Sequence, residues 1–565
     1  MSLLFFFSFV TEQTSSAITE LENDTQLINA YGLSRLFRHT HYQDLRIAVL
    51  DNGFVGYKQN AGFLPSNTER ITIYPEDFAR RNNFPLGTRR SVGDHGLRIA
   101  QIIWSMMNKQ EQGVKFYLLQ TNGFSQFQKG VQWAIEQEVD IICYAQVWEN
   151  AGNFDGRGFL NKMVKRATDK GIIWVNAAGN FGGKVYNGKL TSSGGYVYFS
   201  NHRDRLEIDS HRDDNAVVIK LVWNEFGETR ETPPTKDLDL YLIDEQGNTI
   251  ASGEKIQVRK PGETREENGS YPFEYVSANL ERGRYYLKIK HVGGRLYHSD
   301  RIRVIVNAQN YHEIDFIDAT VGQEIMIPAD SPHVLTAGIS GVLGSVGPTM
   351  DGRLKPEFIV TNSYVAFTDG QQHDTTSSAT GILSGVIALM KGVCPRLDHQ
   401  GIISLLQEPR RSGIDQPRLN QVPRLQTLKD ECLRRYGSLS PRPRSGTYPR
   451  PDPGSGTETD PGSGTEPGTG TSPGSGTGTE YPNPPPGLRE MQLANQYYAQ
   501  GDYGRAYSYF KTAANMGNRD GQFMLGKMYF EGIGVVKNLT KAKLWFTKAK
   551  DNGHRDAHRY LSQIP

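Results

Sequence analysis

The sequence predicts an α/β protein: a parallel sheet with helices on both faces, an inserted antiparallel β-sandwich and a C-terminal α-helical repeat module. Three observations predict it. Residues 45–183 alternate apolar strands with helical stretches, the βαβ texture of a parallel sheet. Residues 186 to about 318 carry short alternating strands broken by turns, which suits a sandwich. Beyond residue 487 the sequence is helical and repeats itself, with glycines marking the turns.

In chain order, 1–40 is an N-terminal segment. Leu3–Val10 is apolar and small polar residues follow to Ala17, but no Lys or Arg precedes Arg35. A secretory signal wants a basic start and a longer apolar run. Three readings stay open: a short signal, a buried strand or a disordered tail. The first implies a secreted or cell-envelope protein, the others a cytoplasmic one. Residues 41–185 begin the α/β domain with strands at Arg46–Leu50, Val139–Cys143 and Ile172–Ala177 and helices at Gly130–Gln137 and Phe159–Asp169. The sandwich, 186–318, has strands at Tyr196–Phe199, Val217–Trp223, Leu238–Ile243, Tyr285–Ile289 and Ile302–Val306. The α/β texture resumes over 319–436. In 438–487 Pro-Gly-Ser-Gly-Thr occurs at 453, 461 and 473. With almost no apolar residues to offset its ordering entropy, this linker stays disordered and spans on the order of 40 Å. Residues 488–565 hold the repeats: Tyr497, Gly501, Tyr503, Ala506 and Tyr509 in one unit, Leu525, Gly526, Tyr529, Gly532, Ala542, Trp545 and Ala549 in the next.

The chain has 565 residues, with 63 Lys and Arg against 61 Asp and Glu. This balance argues against a protein built to hold nucleic acid or an anionic membrane. No apolar run is long enough for a transmembrane segment. Cys143, Cys394 and Cys432 are too few for a disulfide framework and lack zinc-site spacing; an odd count favours a reducing compartment.

Three segments carry chemistry. Ile47–Gly53 puts Asp51 at a strand's carboxyl end. His95-Gly96-Leu97-Arg98-Ile99-Ala100 opens a helix. Asp374-Thr375-Thr376-Ser377-Ser378-Ala379 precedes a helical run, Thr380–Met390. Parallel sheets gather sites at strand carboxyl ends, so the three can converge. Alone, each is ordinary: a turn Asp, a helix boundary, an N-cap Ser. Two further blocks accompany them, Trp174-Val175-Asn176-Ala177-Ala178-Gly179-Asn180 and Gly347-Pro348-Thr349-Met350-Asp351-Gly352. In this order, over 40–185 and 325–410, the blocks resemble the subtilisin-like serine peptidases, the subtilases. The repeats resemble the Sel1-like subgroup of tetratricopeptide-type repeats, which implies a protein partner.

Residue by residue, the peptidase resemblance implies Ser377 as nucleophile, His95 as general base and Asp51 as the group that orients the imidazole. Asn180 and the Ser377 backbone N–H would form the oxyanion hole. Ser377 fits better than Ser378 because Ala379 and Gly385 stand at the family's +2 and +8 positions. The expected activity is endopeptidase, on protein or peptide substrates, with no required cofactor and an inflection at about pH 6 to 7. Some 40 residues before the domain are short for a folding prodomain.

Three positions and one stretch depart from the family pattern. Thr375 replaces a Gly two residues before the nucleophile, Gly381 replaces a Pro, and Asn52 a smaller residue. Cys143-Tyr144-Ala145-Gln146-Val147-Trp148 replaces the usual substrate-pairing Ser-Leu-Gly. Thr375 sustains an alternative: an inactive subtilase-like scaffold acting as a protein-binding module. The insert, whose Asp237–Leu242 resembles β-sandwich modules attached to secreted peptidases, is expected to restrict or guide substrate. Its Asp237, Asp239 and Asp244 form a candidate calcium set, against the plainer reading of a half-solvated strand. His39 and His41 read as surface histidines, and Gly532-Ile533-Gly534 as a repeat turn.

Overall fold

A computed structural model describes residues 21, 28–58, 60–72, 93–199, 203–229, 232–258, 271–320, 322–341, 343–360, 365–367, 375–406, 419, 425–441, 491, 494, 498, 503–515, 517–533, 535, 537–554 and 556–564. The apolar run Leu3–Val10 and the linker from 442 to 487 lie outside them. The chain forms two compact units, Met1–Arg442 and Pro443–Pro565.

In the first unit five strands precede the insert: β1 (Leu45–Asp51), β2 (Glu69–Thr72), β3 (Val114–Gln120), β4 (Ile141–Tyr144) and β5 (Ile173–Ala177). The insert supplies β6 (Val185–Lys189), β7 (Ser192–Ser193), β8 (Tyr196–Val197), β9 (Leu206–Ser210), β10 (Asn215–Trp223), β11 (Asp237–Asp244), β12 (Thr249–Gly253), β13 (Phe273–Leu280), β14 (Gly283–Gly293), β15 (Arg301–Ala308) and β16 (Ile314–Phe316). β17 (Leu335–Ile339) and β18 (Phe358–Val360) return to the first sheet, whose order is β18-β17-β5-β4-β1-β3-β2, with parallel pairing throughout.

Both faces of this sheet are buried, and the two-residue period of a strand divides its side chains between them. Ile47 and Val49 of β1 join one core with Phe116, Val175, Ile99, Ile102 and Ile387. Ala48 and Leu50 join the other with Trp174, Phe127, Val131, Leu160 and Val164. Helices α1 (His95–Met106) and α4 (Thr376–Val393) belong to the first core, and α2 (Gly123–Glu136) and α3 (Phe159–Asp169) to the second. Strand order reverses at β1, which lies between β3 and β4. The crevice at its carboxyl end is where such sheets place ligands.

The insert is antiparallel. One sheet runs β13-β10-β15-β6 and the other contains β12-β11-β14-β8-β7, with a separate core of Ile219, Leu221, Trp223, Leu240, Leu287 and Val304. Arg303 of β15 links the insert to two segments outside the strands, at Phe154 and Ile325. Its guanidinium bonds Asn187 Oδ1 at 2.7 Å and the Ile325 carbonyl at 2.9 Å, and lies 3.6 Å from the Phe154 ring centroid.

One expectation, drawn from the cysteine count, needs correction. Cys394, at the end of α4, is disulfide-bonded to Cys432, 38 residues on, in the helix α6 that follows α5 (His399–Leu406) and spans Leu425–Tyr436; only Cys143 is a free, buried thiol. The only helix among the described residues long and apolar enough to cross a membrane is α4, and it is wholly buried in protein. His39 and His41 are both exposed.

The second unit contains α7 (Tyr503–Asn515), α8 (Arg519–Glu531), α9 (Leu539–Asp551) and α10 (Ala557–Leu561), packed around Ala506, Phe510, Leu525, Phe546 and Ala549. Gly526 lets α9 approach: a Cβ there would lie 2.8 Å from the Phe546 ring. Gly532 ends α8 with φ +79°, a left-handed cap that glycine adopts without strain.

Candidate active site

β1 runs straight into the site. Its last residue, Asp51, is fully buried, and Oδ1 accepts the Gly53 N–H at 2.9 Å. Gly53 and Gly96 then draw α1 against the strand end, the Gly96 N–H donating to the Gly53 carbonyl at 2.7 Å. Residue 96 must be glycine, because a Cβ would sit 2.5 Å from Asp51 Cβ and 2.6 Å from the Phe54 ring. This approach seats His95, first residue of α1, with Nδ1 2.8 Å from Asp51 Oδ2.

His95 is about one-third exposed, its side chain at 36%. Burial among its neighbours pushes the imidazole pKa down, but the charge and hydrogen bond of Asp51 outweigh it, so the value stands above 6.5. Asp94 adds to the rise and Arg98 opposes it. Those two side chains pair with each other at 2.8 Å.

Helix α4 carries Ser377 in its first turn. The helix starts at Thr376 rather than Thr380, and its cap is Thr375, whose Oγ1 accepts the Ser378 N–H at 3.4 Å. Thr375 has φ −127° and ψ 160°, an extended conformation open to any residue. The departure from glycine therefore strains nothing here. Two glycines bring α4 onto α1. A Cβ at Gly381 would be 3.1 Å from Ile102 Cγ2, and one at Gly385 2.4 Å from Met106 Cβ.

Asn180 follows β5. Its Oδ1 accepts the Thr376 N–H at 3.1 Å and the Thr376 hydroxyl at 2.9 Å. With that oxygen doubly held, the Nδ2 amide is the end left to donate, next to the residue that precedes Ser377 in the chain. The Ser377 hydroxyl itself donates to the Ala145 carbonyl at 2.9 Å, and among the described residues it makes no hydrogen bond to His95. A rotation about χ1 between staggered wells is what separates that position from others.

The structure thus brings Asp51 and His95 into contact and ties Asn180 to the residue before Ser377. Sequence reasoning missed three contributors. Ala145 accepts through its backbone and has no side-chain signature. Gln146 places Nε2 3.5 Å from Asp51 Oδ1. Thr376, although inside the recognised motif, was given no role. The expected substrate-pairing strand is partly occupied: Trp148 exchanges backbone hydrogen bonds with Ile327 at 2.7 and 3.3 Å, and the Gln146 carbonyl accepts Asn176 Nδ2 at 3.1 Å.

The calcium set does not assemble. Asp237 and Asp239 lie at the start of β11, while Asp244 ends it and closes a turn by accepting the Asn248 N–H at 2.8 Å. At roughly 3.3 Å per residue, Asp239 and Asp244 are about 16 Å apart, far beyond the reach of ligands to one ion. Among the described residues no three His, Cys, Asp or Glu side chains are grouped to hold a metal.

The Subtilase family matches residues 43–409, and the Sel1 repeat matches 491–518 and 519–554. No curated protein matches the chain. Among solved structures, the CspB protease of Clostridium perfringens is 14% identical over 74% of this chain and 98% of its own, with a TM-score of 0.48. MycP1 from Mycobacterium smegmatis is 14% identical over 78% of this chain and 92% of its own, with a TM-score of 0.32. A Sel1 repeat protein from Oxalobacter formigenes is 34% identical over 14% of this chain and 24% of its own, with a TM-score of 0.14.

Proposed function

The chain belongs to the subtilase family, and from that premise we propose that it is a serine endopeptidase that hydrolyses peptide bonds in proteins. The observation that carries the proposal is the Asp51–His95 pair at the switch point of the sheet, held there by the close approach at Gly96.

In the proposed reaction Ser377 turns from the Ala145 carbonyl toward His95 as substrate enters. Its Oγ bonds to the scissile carbonyl carbon while His95 Nε2 takes the proton. Asp51 holds Nδ1–H and stabilises the imidazolium. Negative charge collects on the substrate oxygen, which accepts from Asn180 Nδ2 and the Ser377 N–H. The positive end of α4 adds to that field. The carbon–nitrogen bond then breaks, with His95 returning its proton to the leaving amine, and water hydrolyses the acyl-enzyme by the reverse route. The sandwich restricts or guides substrate, and the repeats recruit a protein partner.

The Ser377–Ala145 hydrogen bond favours a second reading, an inactive scaffold that binds proteins. One experiment separates the two: labelling by a fluorophosphonate probe of wild type and Ser377→Ala. Labelling that vanishes in the variant supports the peptidase. No labelling of folded wild type, together with no cleavage of denatured protein substrates, overturns it.

A further inference from the structure

The near-neutral whole hides an uneven distribution of charge. Residues 488–565 carry twelve Lys and Arg against six Asp and Glu, a net +6, while the remaining 487 residues carry −4. Within the repeats the excess gathers on α9, which has four lysines and one acid, Asp551.

The helix is two-faced. Ala542, Phe546 and Ala549 are buried in the core. Lys541, Leu544 and Lys548 form one outward stripe, spaced three and four apart, beside the half-buried Trp545 that packs against the core. Leu544 is 52% exposed, and Lys541 and Lys548 are exposed. Aromatic rings underlie the ammonium groups. Lys548 Nζ lies 4.4 Å from the Trp545 ring centroid, Lys541 5.3 Å from Tyr529 and Lys537 5.8 Å from Phe530. Among the described residues of this unit the ion pairs are Arg519–Asp520, Lys527–Glu531, Lys550–Asp551 and His554–Asp520. Lys537, Lys541, Lys543 and Lys548 are in none of them.

We propose that this stripe of α9 docks an acidic segment of a partner protein, its carboxylates on Lys541 and Lys548 and an apolar side chain on Leu544 and the Trp545 edge. The inference rests on the recruiting role proposed for the repeats and names the partner's chemistry. Charge complementarity selects the occupant. Four cations outside the ion pairs of the described residues leave positive potential that an acidic segment neutralises. The exposed leucine among them suits a peptide carrying an apolar anchor. A nucleic-acid strand fits less well, because Lys548 already covers the Trp545 face that a base would stack on.

The test is fluorescence anisotropy on the full chain carrying Ser377→Ala, so that a bound peptide is not consumed. The probe is a fluorescein-labelled peptide of three Glu-Glu-Leu-Glu repeats. Saturable binding is expected. It should weaken at least tenfold in Lys541→Glu/Lys548→Glu, about fivefold in Leu544→Ser, and not at all in Lys170→Glu. The same peptide with Gln for Glu should bind at least tenfold more weakly. Equal binding of the Gln peptide, or indifference to the double lysine change, overturns the acidic assignment while leaving recruitment by the repeats standing. No binding of either peptide removes the docking site, whatever the labelling of Ser377 gives. Tighter binding of a twelve-residue oligothymidylate would make the stripe a nucleic-acid surface. Binding that emerges only when Asp452, Glu458, Asp460, Glu466 and Glu480 are changed to amides would make the chain's own linker the occupant, against the proposal.

Discussion

Asp51 Oδ2 and His95 Nδ1 lie 2.8 Å apart at the carboxyl end of a buried strand, and against burial the carboxylate's charge and hydrogen bond together raise the imidazole's pKa. Burial alone would lower the His95 pKa; Asp51 raises it above 6.5. In the proposed reaction the neutral ring is the base, so activity should fall as pH drops through this raised value. Stability runs the other way. The contribution of the charged pair is complete below the unfolded value of about 6.5 and is lost as pH rises through the folded one. A pH profile of kcat/KM with an NMR titration of His95 checks both, and a flat rate between about pH 5 and 8 would remove His95 as the base.

Asp51→Asn leaves the burial and removes the charge. The inflection should move below that of the wild type, and kcat should fall by about 10⁴, as when a triad loses its orienting carboxylate. An unchanged inflection would mean that Asp51 does not set the histidine's charge.

Thr376 holds Asn180 by two hydrogen bonds, of which Thr376→Val removes one. A drop of about tenfold in kcat with KM unchanged is expected, against about 10² to 10³ for Asn180→Ala. The double variant should be little worse than Asn180→Ala alone. Additive losses would show that Thr376 acts by another route.

Thr375 caps the helix through a long hydrogen bond, so Thr375→Ala should cost about 0.5 to 1 kcal/mol in a urea melt and leave activity within a few-fold of wild type. Gly385→Ala is the contrasting case. Its new Cβ would meet Met106 Cβ at 2.4 Å, forcing α4 away from α1. A loss of about 1 to 3 kcal/mol is expected, with activity falling at temperatures where the variant is still folded. Full activity at normal stability would mean that the two helices pack elsewhere.

Closing a 38-residue loop, the Cys394–Cys432 bond should be worth about 2 to 4 kcal/mol. Cys432→Ser, or reduction of the wild type, should lower the melting temperature, and no change on reduction would argue against the pairing.

Much of this was legible in the sequence because each acting side chain sits at a local boundary. Asp51 ends an apolar strand and His95 opens an amphipathic helix. The start of α4 was misplaced by four residues because Thr375 and Thr376 are weak helix formers in the interior yet serve well at a first turn. The threonine at 375 departs from the family's glycine, and residue type alone does not reveal that φ is −127°, open to any residue. The Ser377 acceptor is a backbone carbonyl, which no motif records. The disulfide was invisible because three cysteines give no pairing rule and its partners are distant in sequence. The aspartates of β11 suggested a ligand set until strand rise separated them.

The insert lies between Asn180 and Ser377, 197 positions apart. A chain leaving the ribosome amino end first exposes the strands and helix that carry or lead to Asp51, His95 and Asn180, then a sandwich with its own core, and only afterwards the serine. β17 and α4 must then close a long loop onto a half-built sheet, a slow step because the closure entropy is lost before the contacts form. The order of synthesis makes the proposed nucleophile the last of these side chains to be translated, after the whole of the insert.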